Sequence, residues 1–155
     1  MIIIREVIDD GIKSDITKSI LSELPEWFGN EQSLLNYAES VKGKAFYCAY
    51  DRDKAIGFIS LKFNNLYTAD IYVMGILKNY HRKGIGKQLV EAAEQYIKTK
   101  GFKLFMVKTL GESSDYELYK NTRKFYKSVG FYPLEEFKEI WGEDNPCLIM
   151  VKSLE

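Results

Sequence analysis

Hydrophobic and polar positions recur along this chain with either the two-residue period of a half-buried strand or the 3.6-residue period of an amphipathic helix, and the changes of period mark out its elements. Ile2 to Glu6 reads as a first strand, followed by a helix from about Lys13 to Leu24. Pro25-Glu26-Trp27-Phe28-Gly29-Asn30 interrupts the chain, and a second helix runs from about Glu31 to Val41. Lys44–Tyr50 and Ala55–Phe63 are strands around the Asp51-Arg52-Asp53-Lys54 turn, and Asn64-Asn65 turns into a further strand over Asp70–Leu77. From Gly84 a helix puts Ile85, Leu89, Val90, Ala93, Tyr96 and Ile97 on one face. Lys103–Thr109 is a short apolar strand, Gly111–Asp115 a polar loop and Tyr116–Ser128 a helix. Phe131–Ile140 and Cys147–Val151 close the order as strands.

The resulting order, β-α-α-β-β-β-α-β-α-β-β, predicts an α/β (α+β) fold: a mixed, mostly antiparallel central sheet with helices on both faces. No repeat, linker or low-complexity segment divides it, so residues 1–155 are expected to form one domain, long enough to bury a real core. Eleven Tyr and nine Phe suit a sheet-rich core with a lined cleft.

Charge removes some functions and suggests another. The 22 basic and 22 acidic residues balance, which disfavours a nonspecific nucleic-acid binder. No apolar run approaches a bilayer span, and Met1-Ile2-Ile3-Ile4-Arg5 is too short for a signal peptide; a soluble, cytoplasmic protein without membrane association is expected. The balance hides a division. Residues 78–108 hold eight Lys/Arg against two acids, residues 1–43 four against eight, and residues 132–146 one against five. A basic middle suits a cofactor with several phosphates. Cys48 and Cys147 share no Cys-x-x-Cys motif and sit in apolar, strand-like surroundings, so both read as buried reduced thiols, and no ligand cluster predicts a metal.

The chemistry concentrates in Asn79-Tyr80-His81-Arg82-Lys83-Gly84-Ile85-Gly86-Lys87-Gln88-Leu89-Val90, where strand, basic loop and helix start follow one another. Free N–H groups and the positive dipole end of the first helical turn hold an anion, and glycines let a diphosphate sit on the main chain. A Walker loop is excluded, because Gln88 follows Lys87 and position 81 is not glycine. A dinucleotide fingerprint is excluded too: Leu89 occupies its third glycine, and the next strand ends near Lys108 and Thr109 rather than on an acid.

His81-Arg82-Lys83-Gly84-Ile85-Gly86 resembles the acyl-CoA signature of the GNAT N-acetyltransferase superfamily, Gln/Arg-x-x-Gly-x-Gly/Ala, with His81 where the family usually has Gln or Arg. Phe125-Tyr126-Lys127-Ser128-Val129-Gly130-Phe131-Tyr132-Pro133 resembles the same family's late FYxxxGF corner, in which Gly130 reads as a helix C-cap. The resemblance covers nearly the whole chain. It implies a GNAT-like sheet whose strands before and after the glycine-loop helix splay apart, leaving main-chain groups that the pantetheine arm of acetyl-CoA partners.

The resemblance also implies roles. Cofactor binding falls to the backbone of Arg82, Lys83, Gly84, Ile85, Gly86, Lys87, Gln88 and Leu89, with the Met74 amide facing the thioester carbonyl and the Ile76 main chain pairing with pantetheine. Tyr126 is the general acid towards the departing thiolate. Tyr119 replaces an Asn common seven residues before that tyrosine, so any contact made by that Asn is not carried over. Asp70 takes the place of the glutamate base of histone-acetyltransferase members and, one methylene shorter, would act through a water; Glu26 and bulk water are the other candidate bases. Glu26, Trp27 and Phe28 are expected to bind the acceptor, a small-molecule or peptide amine whose cationic character follows from the acidic flanks. The leading function is therefore an acetyl-CoA-dependent N-acetyltransferase that needs no metal. The alternatives are a CoA-binding module without transferase activity and transfer of a longer acyl group to an alcohol or thiol. A homodimer is compatible with the resemblance.

Overall fold

The computed structural model describes residues 1–155 and contains the expected order: β1 (Ile2–Glu6), α1 (Asp10–Leu21), α2 (Glu31–Ser40), β2 (Ala45–Asp51), β3 (Lys54–Phe63), β4 (Thr68–Ile76), α3 (Ile85–Thr99), β5 (Leu104–Leu110), α4 (Glu117–Ser128), β6 (Tyr132–Phe137) and β7 (Cys147–Ser153). The strands form one sheet in the order β1-β2-β3-β4-β5-β7-β6. Most pairings are antiparallel; β4 and β5 run parallel, from Thr68↔Leu104 to Ile71↔Val107. No helix is long and apolar enough to cross a membrane. By its internal contacts the chain forms two compact units, Met1–Lys62 with Tyr72–Ile97, and Phe63–Ile71 with Lys98–Glu155.

In the first unit, α1 begins a turn earlier than the hydrophobic period suggests, because Asp9 caps it, its carboxylate accepting from the Ile12 amide at 2.9 Å. Asn30 caps α2 the same way through the Ser33 amide. Helix α1 buries Ile16, Ile20 and Leu21. It approaches β4 so closely that a Cβ on Gly75 would meet Leu21, Ile20 and Leu24 at 3.1 to 3.3 Å, so the glycine sets that spacing. Phe46 and Phe58 stack at 5.2 Å between rings. On α3 the expected apolar face is inward: Ile85, Leu89, Val90, Ala93 and Ile97 are buried, while Tyr96 is half-buried against Tyr47.

The second unit is built on the β5-β7-β6 ladders, with α4 leading into β6. Phe105 and Phe131 form its aromatic centre at 5.2 Å. Strand β6 stops at Phe137, short of the expected Ile140, because residues 138–142 turn: the Gly142 amide donates to the Lys138 carbonyl at 2.9 Å and Gly142 adopts φ +93°. Both cysteines are buried free thiols, one in each unit, and burial pushes the Cys48 thiol up to about 11.

Candidate active site

The glycine loop lies in the first unit. After β4 a single 3-10 turn, Lys78–Tyr80, leads into it, and the backbone enters the left-handed region at Arg82 (φ +62°) and again at Gly84 (φ +78°). Gly84 tolerates that conformation freely; Arg82 holds it at a cost of roughly 1–2 kcal/mol. Left-handed residues in a turn aim successive N–H groups into one concavity, a nest for an anion. The first bond of the following helix runs from the Gln88 amide to the Gly84 carbonyl at 3.1 Å. The amides of Ile85, Gly86 and Lys87 precede that bond and are the donors that a helix start offers a phosphate. A Cβ built on Gly84 would meet nothing within 4 Å, and Gly86 is buried in the first turn of α3.

Three contacts fix this loop. The Tyr80 hydroxyl donates to the Asp51 carboxylate at 2.6 Å, a bond that holds the Asp51 carboxyl below and the Tyr80 phenol above their ordinary pKa values. The ammonium of Lys83 stands over the Tyr80 ring at 5.6 Å. The His81 ring donates from Nε2 to the Ile76 carbonyl at 2.6 Å, which requires the Nε2–H form. The Ile76 carbonyl is thus engaged by this chain's own side chain, in the residue whose main chain the resemblance assigns to pantetheine.

The segment expected to meet the acceptor is tied to the same loop. Glu26 pairs with Lys78 of the 3-10 turn, and that bond holds its carboxyl below the usual carboxylate range. Trp27 packs edge-on against the His81 ring at 5.9 Å. Phe28 meets Tyr37, and Tyr37 meets Tyr72, at 5.9 and 5.6 Å; the Lys44 ammonium lies 4.5 Å from the Tyr72 ring centroid. Glu26, Trp27, Ile76 and the loop residues are therefore one connected group, while Met74 stands half-buried on β4 between them in sequence.

The two candidate proton-transfer residues both lie in the second unit. Asp70 on β4 is 4% exposed, and Asn64 Nδ2 donates to its Oδ2 at 3.2 Å. Tyr126 on α4 is 8% exposed. Burial first, then the fields of Tyr119 and Asp70, raise its phenol above the ordinary value, so the proton stays on oxygen at neutral pH. The FYxxxGF corner orients it. The Phe131 amide donates to the Tyr126 carbonyl at 3.0 Å and the Gly130 amide to the Lys127 carbonyl at 3.1 Å, with Gly130 at φ +100°. That is a Schellman cap, and its usual apolar contact is the Tyr126–Phe131 ring pair at 5.9 Å.

Sequence reasoning missed several partners. Arg123, one turn before Tyr126, is buried and donates from one Nη to the carbonyls of Leu110 (2.7 Å) and Gly111 (3.2 Å). Glu136 of β6 accepts from the Ser113 hydroxyl at 2.8 Å and fills the space a Cβ on Gly111 would need. The Glu26–Lys78 and His81–Ile76 contacts also had no local signal, although a lone His in a phosphate loop is an unusual residue type whose ring needs partners. No group of three His, Cys, Asp or Glu could hold a metal.

Residues 42–133 match the acetyltransferase (GNAT) domain. The chain is 26% identical over 152 residues to an uncharacterized N-acetyltransferase of Chlorobaculum tepidum, covering 88% of this chain and 90% of that protein. Its fold superposes on an acetyltransferase of the GNAT family from Desulfovibrio desulfuricans with TM-score 0.86 at 16% identity over the whole of both chains. It superposes on a GNAT family acetyltransferase from Elizabethkingia anophelis with acetyl-CoA bound, with TM-score 0.73 at 17% identity, covering 98% of this chain and 97% of that one.

Proposed function

The chain belongs to the GNAT acetyltransferase family, and we propose that it moves the acetyl group of acetyl-CoA to the primary amine of a cationic acceptor by direct attack in a ternary complex. The observation that carries this reading is the main-chain nest at Arg82 and Gly84 running into the first turn of α3, a binding surface for a diphosphate made of backbone rather than of particular side chains.

Acetyl-CoA supplies an activated acyl group on a thiol leaving group. The chain's residues then have four tasks. Backbone amides from Arg82 to Leu89 hold the diphosphate, and the Ile76 main chain the pantetheine. The Met74 amide faces the thioester carbonyl oxygen, where negative charge develops as the amine nitrogen bonds to carbon. Asp70, through a water, takes the proton that the attacking amine loses. Tyr126 gives its proton to the sulfur as the carbon–sulfur bond breaks, and solvent returns a proton to the phenolate before the next turnover. Glu26, Trp27 and Phe28 orient the acceptor. The alternative bases are Glu26 and bulk water, and the Lys78 contact weakens Glu26 for that role by favouring its charged form.

The test is thiol release from acetyl-CoA across a library of amines, followed by mass spectrometry of the product. A mass gain of one acetyl group on a cationic amine is the expected result. Acetyl-CoA binding with no thiol release on any amine would make the protein a binding module instead, and faster release with alcohols or with longer acyl donors would favour the third reading.

A further inference from the structure

We infer that Arg123 is a positioning residue for proton transfer, fixing α4 to the end of β5 so that the Tyr126 hydroxyl is held where it acts. Arg123 and Tyr126 are three residues apart, one turn on the same helix face, and they are the two buried residues of α4. Buried arginines usually meet a carboxylate. Arg123 meets none: its bonds go to the carbonyls of Leu110, the last residue of β5, and Gly111, the first of the loop. A guanidinium hydrogen-bonded to two successive carbonyls gives a directional tether, and charge-assisted bonds of this kind are stronger than neutral ones. Lysine keeps the charge but presents it as a compact ammonium on a flexible stem, with a different donor placement.

The tether has a counterpart on the far side of Tyr126. The cap at Gly130 and Phe131 fixes the C-terminal end of α4, and Arg123 fixes the preceding turn to the strand, so Tyr126 sits between two anchors. The loop that follows β5 is held in turn by Glu136 through Ser113 and by the Lys127–Glu112 pair. With Arg123 removed, the cap still forms the end of the helix, but the bonds to the Leu110 and Gly111 carbonyls are lost. The hydroxyl would then lose registration relative to β5 while the ring stays packed on Phe131. Misplacing a reacting group by about 1 Å costs up to about 10²-fold in rate.

This inference rests on the assignment of Tyr126 as general acid, and the experiment separates the two. Turnover and acetyl-CoA KM are measured for Arg123→Met, Arg123→Lys, Tyr126→Phe and the two double variants, below the melting temperature of each. The expected result is a kcat loss of roughly tenfold or more for Arg123→Met and a smaller one for Arg123→Lys, with KM for acetyl-CoA unmoved. Neither substitution should cost anything further in the Tyr126→Phe background, because a positioning residue has nothing left to position. If Arg123→Met fails to fold, the Arg123→Lys pair makes the same comparison. Losses that multiply fully in the double variants would overturn the positioning role alone. Wild-type turnover in Tyr126→Phe would overturn the acid assignment and this inference with it.

Discussion

Phe131 holds Tyr126 twice: its amide donates to the Tyr126 carbonyl at 3.0 Å, and its ring meets the Tyr126 ring edge-on at 5.9 Å. The first contact ends α4; the second sets the direction of the side chain. Both depend on the residue between the helix and Phe131 being able to turn left-handed, and Gly130 does so at φ +100°. A short motif that looks like a helix stop is thus also the mount of the proposed acid.

Gly130→Ala should therefore weaken both stability and turnover. The left-handed φ costs a side chain roughly 1–3 kcal/mol, and the new Cβ would come within 3.0 to 3.2 Å of the Lys152 side chain, whose ammonium donates to the Val129 carbonyl at 2.8 Å. Urea unfolding should show the loss and steady-state kinetics a lower kcat. An alanine variant as stable and as fast as the wild type would show that the cap does not govern Tyr126.

The raised pKa of Tyr126 predicts a specific alkaline signature. In the unfolded chain a phenol ionises near 10, whereas burial keeps Tyr126 neutral in the fold. Above pH 10 the unfolded state has lost a proton that the folded state retains, so stability falls as pH rises from about 10 towards the folded value, by at most about 1.4 kcal/mol per pH unit for one group. Below pH 10 the contribution is intact. Replacing Tyr126 with Phe should flatten part of that decline without removing it, because Tyr37, Tyr47, Tyr50 and Cys48 are also raised by burial. Identical pH–stability slopes for the two proteins between pH 9 and about 11 would contradict the buried neutral phenol.

What the sequence made legible is what local chemistry controls. The period of α3, the cap at Gly130 and the glycine pair at the start of α3 are all contained in a few consecutive residues, and each appears where the pattern puts it. Element ends were less legible: Asp9 starts α1 a turn before its apolar period becomes visible, and Gly142 ends the run after β6 early. Partners far apart in sequence left no trace. Glu26 reads as an acid free to meet a substrate until Lys78, 52 positions away, is found against it. Arg123 is indistinguishable from a solvated helix charge until the end of β5 is placed beside it.

The loop predicts opposite effects for two neighbouring substitutions. Arg82→Gly relieves a left-handed side chain and should stabilise by up to about 1 kcal/mol, whereas Gly84→Ala imposes that strain and should destabilise by about 1–2 kcal/mol. If the nest is the diphosphate site, acetyl-CoA at about a hundred times its dissociation constant should stabilise wild type by roughly 2.7 kcal/mol. Arg82→Gly should preserve most of that shift, since the contacts are main-chain. Gly86→Val should abolish it by placing bulk in the first turn. Thermal melts with and without acetyl-CoA decide the matter, and a folded Gly86→Val protein that still shows the full shift would move the cofactor elsewhere.

The Glu26–Lys78 pair makes the acceptor hypothesis sharper than charge counting allows. Lys78 cancels the acid nearest Trp27 and Phe28, so any selection of a cationic amine comes from the net field of the remaining acids, among them Glu23, Glu31, Glu135, Glu136, Glu139, Glu143 and Asp144. Lys78→Met removes the cation described against Glu26 and should lower KM for a cationic acceptor, while Glu26→Gln removes the acid described against Lys78 and should raise it. Exposed pairs contribute little, so each change should be no more than about fivefold. Both should shrink with added salt, because the Debye length is about 8 Å at physiological ionic strength. Neutral acceptors provide the control, since their KM should not respond to either substitution. Shifts of the same sign for the two variants, or a preference for anionic acceptors at low salt, would mean that this segment does not select its substrate by charge.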